Sequence, residues 1–291
     1  FATMTTSRGA IPLLLLAPLL AVVAHYYLLL KNVEPPPPDF GGASCFDQIA
    51  SRYDLVNRVL ALHMDVGWRK TMVNKVKEYS PKRIMDLATG TADVALLLAE
   101  SIPDATIIGV DPSHNMLEVG RTKVRHQDLE NRIQLQQGDA QDLVSTFEPE
   151  SFDAATMSFG IRNVPNRQLA LCQIRHVLKP SSVFCILEFS EPPSDAGIMA
   201  FLARLFIRHV VPVIGGIVSG APREYLHLQN SIKDFPSPPE FVQLLENLSC
   251  DGTNRGAFRV EELIQMNFGS VQLYVTTPIT RDEEANNDNE K

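Results

Sequence analysis

The sequence contains few cysteines and no recognisable metal-binding pattern. Its 291 residues include only four cysteines, none of which forms a C-x-x-C pair, and no two histidines stand at a spacing typical of metal ligands. This composition predicts reduced, partly buried thiols in a reducing compartment, and it argues against a structural or catalytic metal site. The four cysteines are Cys45, Cys172, Cys185 and Cys250.

The chain also lacks an excess of positive charge. Lysine and arginine together number 26, against 34 aspartates and glutamates, which gives a net charge of −8. Nucleic-acid-binding proteins usually present a basic face, so no nucleic-acid partner is expected. The apolar fraction of 45% and the charged fraction of 21% are ordinary for a globular protein. No internal repeat is visible.

A dinucleotide-binding fingerprint is missing from the turn around which the chain is organised. Residues 84–93 read I-M-D-L-A-T-G-T-A-D, which predicts a strand that ends near Asp86, a turn at Gly90 and then a helix. The fingerprint G-x-G-x-x-G fails because Ala92 replaces its second glycine and Asp93 follows. This turn disfavours a pyrophosphate and favours S-adenosylmethionine, which carries a sulfonium and no phosphate. A turn that binds no ligand is the alternative interpretation.

The rest of the sheet is predicted from short apolar runs that end in acidic, polar or small residues. Because the carboxyl ends of parallel strands meet at one edge, the ligand crevice is expected there. The last two runs predict a hairpin, which would make the last strand antiparallel. The predicted strands cover residues 83–88, 106–111, 133–137, 152–158, 182–189, 258–266 and 270–277.

Two acidic residues beyond the second and third strands are candidate ligand groups. Asp111 lies 21 residues after Gly90, where a ribose-binding carboxylate is found in sheets of this type. The alternative role of Asp111 is a helix N-cap, since Pro112 suits the first helical position. Asp139 is followed by the small Ala140, an arrangement that suits contact with an adenine edge.

The chain is predicted to have four parts. Residues 1–31 include a stretch of 20 residues, 11–30, that are apolar or aromatic except for His25. This stretch predicts a membrane anchor or, alternatively, a targeting segment. A proline- and glycine-rich linker spans residues 32–44. The folded domain covers residues 45–279, and residues 280–291 form a disordered acidic tail.

Helical periodicity outside the sheet predicts a lid and an apolar helix. Two helices are expected between residues 46 and 77, where they could cover the ligand pocket. Residues 200–217 are apolar and helix-like. This segment suits a polyprenyl tail or a membrane surface, although core packing or an oligomer interface is the commoner use.

The chain resembles class I S-adenosylmethionine-dependent methyltransferases, and more narrowly the UbiE/MenG-type C-methyltransferases of ubiquinone and menaquinone biosynthesis. The resemblance spans about residues 46–277 and is carried by F-D-Q-I-A-S-R-Y-D at 46–54, the turn at 86–93, and S-F-G-I-R-N-V at 158–164. It implies an α/β, Rossmann-like class I methyltransferase fold. That fold has a seven-stranded, mostly parallel sheet with an antiparallel last strand, helices on both faces and an N-terminal helical lid.

The resemblance also implies roles for individual residues. The cofactor residues would be Gly90 and Thr91 under the methionine part, Asp111 at the ribose, Asp139 and Ala140 at the adenine, Ser158 beside the sulfonium, and Asp86 at the end of the first strand.

The implied catalytic residues are Arg162, Asn163 and Tyr53. Arg162 is a candidate for favouring the phenolate of a quinol, because a nearby cation lowers a phenol pKa. Asn163 would orient a ring oxygen, and Tyr53 would orient the ring or Arg162. The simpler alternatives are a salt bridge for Arg162, a helix cap for Asn163 and packing for Tyr53. No residue is assigned as the base; water or Asp54 could serve.

The implied partners are a polyprenyl quinol substrate, a membrane surface, and a homodimer or a quinone-biosynthesis complex, with S-adenosylmethionine as co-substrate and no metal. The expected location is the mitochondrial inner membrane, with the plastid as the alternative. Three other hypotheses remain: a methyltransferase for another small or lipid acceptor, a dinucleotide oxidoreductase, and a non-catalytic scaffold of a quinone-biosynthesis complex.

Overall fold

The computed structural model describes Leu28 and the ranges 43–193, 197–250 and 256–279. The predicted anchor or targeting segment (1–31, apart from Leu28), the linker up to residue 42 and the acidic tail (280–291) lie outside the described residues. The first two residues of the folded part, 43 and 44, already belong to a helix rather than to the linker.

A seven-stranded sheet forms the centre of the molecule, in the order β3-β2-β1-β4-β5-β7-β6. Strands β1 to β5 pair in parallel, and β7 is antiparallel to both β5 and β6. The predicted sheet with an antiparallel last strand is therefore confirmed. The strands are β1 Arg83–Leu87, β2 Thr106–Asp111, β3 Ile133–Gln137, β4 Phe152–Ser158, β5 Leu178–Phe189, β6 Phe258–Met266 and β7 Val271–Pro278.

The fifth strand begins four residues earlier than the apolar run predicts. Leu178 already pairs with Phe152, and a register irregularity separates this pair from the regular ladder that begins at Ala154 and Val183. The polar Ser182 is buried because its hydroxyl donates to the Lys179 carbonyl oxygen, at 2.6 Å. Backbone pairing thus extends the strand through residues that hydrophobic periodicity leaves out.

Nine α-helices surround this sheet in the described part of the chain. They are α1 Ala43–Leu60, α2 Met64–Glu78, α3 Asp93–Ser101, α4 His114–His126, α5 Arg167–Val177, α6 Gly197–Leu205, α7 Val211–Ser219, α8 Pro222–Lys233 and α9 Pro238–Asn247. A π-helical turn, Phe206–Val210, joins α6 to α7 into one continuous helix.

Two hydrophobic layers cover the two faces of the sheet. Successive strand residues point to opposite faces, so Ile84 packs with α2, α3 and α4, whereas Met85 packs with α5 and α9. Burial on both faces explains why the central strands are continuous apolar runs rather than alternating ones. Helices on both faces, as predicted, are confirmed.

The first helix lies across the carboxyl edge of the sheet and is held there by polar contacts. Asp47 accepts hydrogen bonds from the Ser113 hydroxyl at 2.5 Å and from the Asn115 backbone N–H at 2.9 Å. Ser113 also caps α4 by accepting from the Met116 N–H. The cap of this helix is therefore Ser113 rather than Asp111, which leaves Asp111 for another role.

The prediction that all four cysteines are reduced thiols is wrong. Cys172 on α5 and Cys250 after α9 form a disulfide, whereas Cys45 and Cys185 are free and buried. The two partners are 78 residues apart in the sequence, and spacing of this kind does not reveal which cysteines meet. Packing of α5 beside α9 on the same sheet face brings them together.

Candidate active site

The turn after β1 adopts an unusual backbone conformation. Ala88, Gly90 and Ala92 all have positive φ angles, of 49°, 55° and 66°. Alanine rarely adopts this region, so the surrounding contacts must hold the turn in place. At Gly90 an added Cβ would meet no atom nearer than the Ala88 carbonyl oxygen, at 4.0 Å. The space in front of Gly90 is therefore open to a ligand.

Asp86 braces this turn from below. It is buried at the end of β1 and accepts hydrogen bonds from the Thr89 and Thr156 hydroxyls, both at 2.6 Å. Burial raises the pKa of Asp86 to about 6, and the two hydroxyls oppose that rise. Its role in the described contacts is to fix the loop.

Asp111 reaches the same turn from the end of β2. One carboxylate oxygen accepts the Gly90 backbone N–H at 2.8 Å, and the other accepts the Ser113 N–H at 2.9 Å. Burial raises the pKa of Asp111 to about 6, with Asp47 contributing in the same direction. A carboxylate offers about four acceptor positions, so each oxygen retains one for a ligand hydroxyl.

Asp139 and Ala140 follow β3 at the same edge of the sheet. Asp139 is exposed, and it accepts from the Gln141 backbone N–H at 2.8 Å. Gln141 in turn accepts from the Asn166 backbone N–H at 3.0 Å, which ties this loop to the start of α5. The loop is thus held beside the crevice with the Asp139 carboxylate accessible.

The end of β4 approaches the turn after β1 very closely. A Cβ at Gly160 would lie 2.5 Å from the Ala88 Cβ, so a larger residue has no room there. Phe159 has a positive φ of 58° and is buried. The Ser158 hydroxyl is buried and has no hydrogen-bond partner among the described residues. A buried hydroxyl without a partner is costly, which fits a ligand atom as its missing partner.

A cavity of about 450 Å³ opens beside these strand ends. Its walls are mainly apolar and come from α1, α2, the loop after β4, the helix of α6 and α7, α8 and the turn before β7. This volume lies within the range usual for small-molecule sites. Polar groups reach it from Tyr53, Asn57, Arg69, Arg162, Asn163, Glu224 and His227, among others.

Arg162 is held by a buried ion pair. Its Nη1 donates to Glu188 Oε1 and to the Phe159 carbonyl oxygen, both at 2.6 Å. Both side chains are buried, and Arg162 Nε has no hydrogen-bond partner among the described residues. The salt bridge expected as the simpler role is present, and Arg162 is also among the residues that line the cavity.

Asn163 does not cap the following helix. The cap of α5 is Asn166, whose side-chain oxygen accepts from the Leu169 N–H at 3.0 Å. Asn163 instead lines the cavity, and its Oδ1 lies 3.3 Å from Nε2 of His227 on α8. Burial lowers the pKa of His227 below its usual value, and the positive charge of Arg162 lowers it further. His227 is thus a neutral partner that fixes the Asn163 amide at pH 7.

Tyr53 enters the same cavity from α1. It packs edge-on against Phe46, with ring centroids 6.2 Å apart. Burial raises the pKa of the Tyr53 hydroxyl, and the nearby cations of Arg162 and Arg69 oppose this rise. The structure therefore brings the three predicted catalytic residues, Tyr53, Arg162 and Asn163, to one cavity.

Thr91 faces a network of charged side chains that connects the lid to the sheet. Its hydroxyl donates to Asp54 at 2.6 Å and accepts from Lys123 at 3.0 Å. Lys123 also pairs with Asp54 and with Asp93, at 2.6 and 2.7 Å. Asp54 does not line the cavity and has both oxygens engaged, so it is poorly placed to act as a base.

The interpretation of the sequence missed His227, Lys123 and the pairing of Glu188 with Arg162. Glu188 stands in a stretch, 183–189, that is otherwise apolar and belongs to a predicted strand. A charged residue in a buried strand requires a partner, and this signal could have identified it. Nothing in the local pattern around His227 points to the cavity, because α8 simply repeats apolar residues at helical spacing.

Comparison with known proteins identifies the family. A model of the ubiE/COQ5 methyltransferase family matches residues 42–254. The chain is 42% identical over 201 residues to the ubiquinone/menaquinone biosynthesis C-methyltransferase UbiE of Syntrophotalea carbinolica, covering 69% of this chain and 82% of that protein. It is 39% identical over 193 residues to the demethylmenaquinone methyltransferase of Thermus thermophilus, covering 66% and 85%.

Solved structures agree on the fold. An O-methyltransferase family protein from Burkholderia thailandensis superposes with a TM-score of 0.54 at 14% identity, covering 79% of this chain and 60% of that chain. The methyltransferase fold expected from the sequence is confirmed by this likeness and by the observed sheet. The chain belongs to the ubiE/COQ5 methyltransferase family and is an S-adenosylmethionine-dependent methyltransferase.

Proposed function

We propose that this enzyme transfers a methyl group from S-adenosylmethionine to a ring carbon of a polyprenyl quinol in ubiquinone or menaquinone biosynthesis. The observation that carries the proposal is the apolar cavity beside the end of β4, into which Arg162, Asn163 and Tyr53 project. An apolar cavity with a few convergent polar groups suits a quinol ring with an apolar tail. The names of the relatives, which refer to ubiquinone, menaquinone and demethylmenaquinone, support the same substrate class.

The proposed cofactor residues fit S-adenosylmethionine. Asp111 accepts both ribose hydroxyls through its two remaining acceptor positions, and the open space over Gly90 receives the methionine part. We assign the Ser158 hydroxyl, which is buried and has no hydrogen-bond partner among the described residues, to the floor of the crevice beside the sulfonium. Asp139 and the Ala140 N–H serve the adenine edge.

Two of the proposed cofactor residues act from behind the crevice. Asp86 fixes the turn through the two threonine hydroxyls, and Thr91 connects the turn to Asp54 on the lid. We assign both to positioning the turn, because both side chains are buried and brace the turn through these hydrogen bonds.

S-adenosylmethionine supplies an electrophilic methyl group on its sulfonium. The residues of the chain align the quinol carbon with that methyl and exclude water, which accounts for much of the rate of such a transfer. Glu188 neutralises much of the Arg162 charge, so we assign Arg162 a hydrogen bond from its guanidinium to a ring oxygen rather than an uncompensated positive field.

Asn163 and His227 complete the polar end of the cavity. His227 holds the Asn163 Oδ1, which directs the Asn163 Nδ2 to donate to the second ring oxygen. When the ring carbon has formed its new bond, the ring C–H proton must leave to restore aromaticity. Because Nε2–H of neutral His227 donates to Asn163, Nδ1 is the ring nitrogen of His227 that we propose takes up this proton.

The finer aspects of the function are extensions of this proposal. A benzoquinol is the preferred acceptor, with a naphthoquinol as the alternative because relatives of both kinds match. We propose the mitochondrial inner membrane as the location, with the plastid as the alternative, and a division of the chain into four parts after residues 31, 42 and 279, since the helix α1 already begins at Ala43. A homodimer or a quinone-biosynthesis complex is part of the same proposal.

An acceptor assay tests the function directly. The full chain is incubated with S-adenosylmethionine and with demethyl benzoquinol, demethyl naphthoquinol or a tocopherol precursor, each with a short side chain. We expect ring methylation of a quinol, detected by mass spectrometry. Asn163→Leu should lower kcat/KM for that quinol about tenfold, the effect of one lost hydrogen bond, and leave the Kd of S-adenosylmethionine unchanged. Binding of S-adenosylmethionine without turnover of any acceptor would instead favour the scaffold hypothesis.

The pH dependence of cofactor binding should follow Asp111. Its pKa is about 6, and the protonated carboxyl accepts ribose hydroxyls poorly. Affinity for S-adenosylmethionine should therefore fall as the pH decreases through about 6, by up to about tenfold per pH unit. Titration calorimetry between pH 5 and pH 8 measures this, and Asp111→Asn should abolish the dependence.

The stability of the ligand-free protein should change in the opposite direction. Asp86 and Asp111 both have folded-state pKa values of about 6, above the ordinary 3.8. The folded state therefore binds more protons than the unfolded state between about pH 4 and pH 6, and the contribution of these groups to the free energy of unfolding decreases as the pH rises through that window. A parallel decrease in stability and affinity on acidification would show that acid unfolding, not Asp111, causes the affinity change.

A further inference from the structure

The helix Gly197–Ser219 is apolar on two sides. It is 23 residues long, has a mean hydropathy of 1.7 and is only one-third buried; within the described ranges it is the one helix long and apolar enough to cross a membrane. One side faces the cavity through Met199, Leu202, Ala203 and Phe206. The other side points outward through Ile198, Phe201 and Leu205, which stand at i, i+3 and i+7 and are between 46 and 69% exposed.

The mouth of the cavity is ringed by apolar side chains. Five large hydrophobic residues both line the cavity and are exposed to solvent, and they come from three separate segments. They are Leu62, Met64, Met199, Leu202 and Phe268. Single exposed hydrophobic residues are normal, but a contiguous set around an opening marks an interaction site.

We propose that the outer face of Gly197–Ser219 and the apolar rim of the cavity dock on a lipid bilayer, so that a quinol enters the cavity directly from the membrane. This inference rests on the proposed function and specifies its substrate route. The helix would lie in the plane of the interface with its outer face among the acyl chains. The prenyl tail would then remain in the apolar phase while the ring enters the cavity.

A bilayer fits this surface better than a second copy of the chain does. The docking face is continuous with the mouth of the cavity, and a protein bound on it would cover the opening. Fluid acyl chains cover the same hydrophobic residues without blocking the entry of a substrate.

Packing of the apolar segment 11–30 on this helix would not remove the exposed apolar surface. The segment is apolar all round, so its own outer side would still be apolar. The helix that follows the linker lies near the same surface: α1 packs beside α7, and Cys45 and Phe46 at the start of α1 line the same cavity.

The docking should depend on hydrophobic insertion and not on anionic lipid. The chain carries a net charge of −8. The basic residues on this helix have partners within the fold: Arg204 donates to the Pro192 carbonyl oxygen, and Arg208 pairs with Glu191. No uncompensated basic cluster accompanies the face among the described residues of this helix.

A fluorescence measurement on the full chain tests the contact. Phe201→Trp places an indole on the outer face, and Leu169→Trp places one at an exposed position on α5, outside the cavity. Both variants retain the native Trp68 as a common background. We expect vesicles of brominated phosphatidylcholine to quench the added emission of Phe201→Trp but not that of Leu169→Trp, equally well with or without phosphatidylglycerol.

An activity measurement tests the substrate route. The triple variant Ile198→Ser, Phe201→Ser, Leu205→Ser removes the outer face without touching a cavity-lining residue. The matched control is Leu55→Ser, Val144→Ser, Leu169→Ser, whose native side chains are between 42 and 60% exposed. We expect the first variant to methylate a long-chain quinol embedded in phosphatidylcholine vesicles about tenfold or more slowly than wild type. It should methylate a soluble short-chain quinol at the wild-type rate, as should the control.

The outcomes separate the two proposals. If wild type methylates no quinol, the proposed function fails, whereas the quenching result still reports on docking. Unquenched emission from Phe201→Trp overturns the docking surface. In that case, a molecular mass that rises with protein concentration would indicate that a second copy covers the face. Blue-shifted tryptophan emission from a monomer would indicate that residues 11–30 cover it. Equal loss of rate in both triple variants would also overturn it.

Discussion

Replacing Asp111 with asparagine should weaken S-adenosylmethionine binding by about a hundredfold or more. The carboxylate is placed to accept two ribose hydroxyls while it holds the Gly90 and Ser113 backbone N–H groups. Hydrogen bonds to a charged group contribute about 1.5–3 kcal/mol each. The amide nitrogen of asparagine, which replaces one carboxylate oxygen, cannot accept a hydrogen bond from a ribose hydroxyl. Isothermal titration calorimetry with S-adenosylmethionine, and separately with NADH, measures the effect.

The chain offers a matched control at the opposite edge of the sheet. Asp153, near the start of β4, accepts the backbone N–H groups of Lys82 and Arg83 at the start of β1, at 2.9 and 2.8 Å, whereas the Gly90 turn follows the end of β1. Asp153→Asn should therefore alter stability without changing cofactor affinity. If both variants bound S-adenosylmethionine as well as wild type, Asp111 would not be the ribose ligand. Binding of NADH to wild type would overturn the interpretation of the Gly90 turn.

Breaking the Arg162–Glu188 pair should produce the largest loss of stability. Both side chains are buried, and removing one partner leaves an uncompensated charge, which costs about 3–5 kcal/mol. Arg162→Met and Glu188→Gln should each lower the free energy of unfolding by this amount, as measured by urea denaturation. The double variant Arg162→Met, Glu188→Leu removes both charges and should recover most of the loss.

Activity separates the structural role of this pair from its chemical role. The recovered double variant should bind S-adenosylmethionine normally yet methylate a quinol at least about tenfold more slowly, because the guanidinium hydrogen bond to the ring oxygen is gone. Full activity in that stable variant would restrict Arg162 to folding. An exposed pair provides the comparison: Asp104→Asn, which breaks the contact with Lys82, should cost no more than about 1 kcal/mol.

The sheet and its cofactor turn could be predicted because their signals are local. Buried parallel strands require continuous apolar runs, and the runs at 106–111, 133–137 and 152–158 coincide with β2, β3 and β4. Ala92 in place of the second glycine, followed by the acidic Asp93, argues against a pyrophosphate ligand from the sequence alone. Asp86, Gly90 and Asp111 were identified through their places at strand ends, which parallel pairing brings to one edge.

The composition of the cavity depended on contacts that no local pattern encodes. His227 meets Asn163 across 64 residues, and Arg162 meets Glu188 across 26. The Cys172–Cys250 disulfide has the same origin. In each case the partners lie on different elements, and only the packing of those elements brings them within bonding distance.

Periodicity and turn chemistry in the sequence predicted the parallel α/β sheet and favoured S-adenosylmethionine, and the resemblance to a known family implied the candidate catalytic stretch at 158–164. The tertiary structure decided which side chains share the cavity, that Arg162 is charge-paired, and that Gly197–Ser219 is apolar both toward the cavity and toward the outside. The physical reason is that burial and charge compensation are properties of neighbours in space. An apolar helix has the same sequence pattern whether it faces a core, a cavity or a membrane.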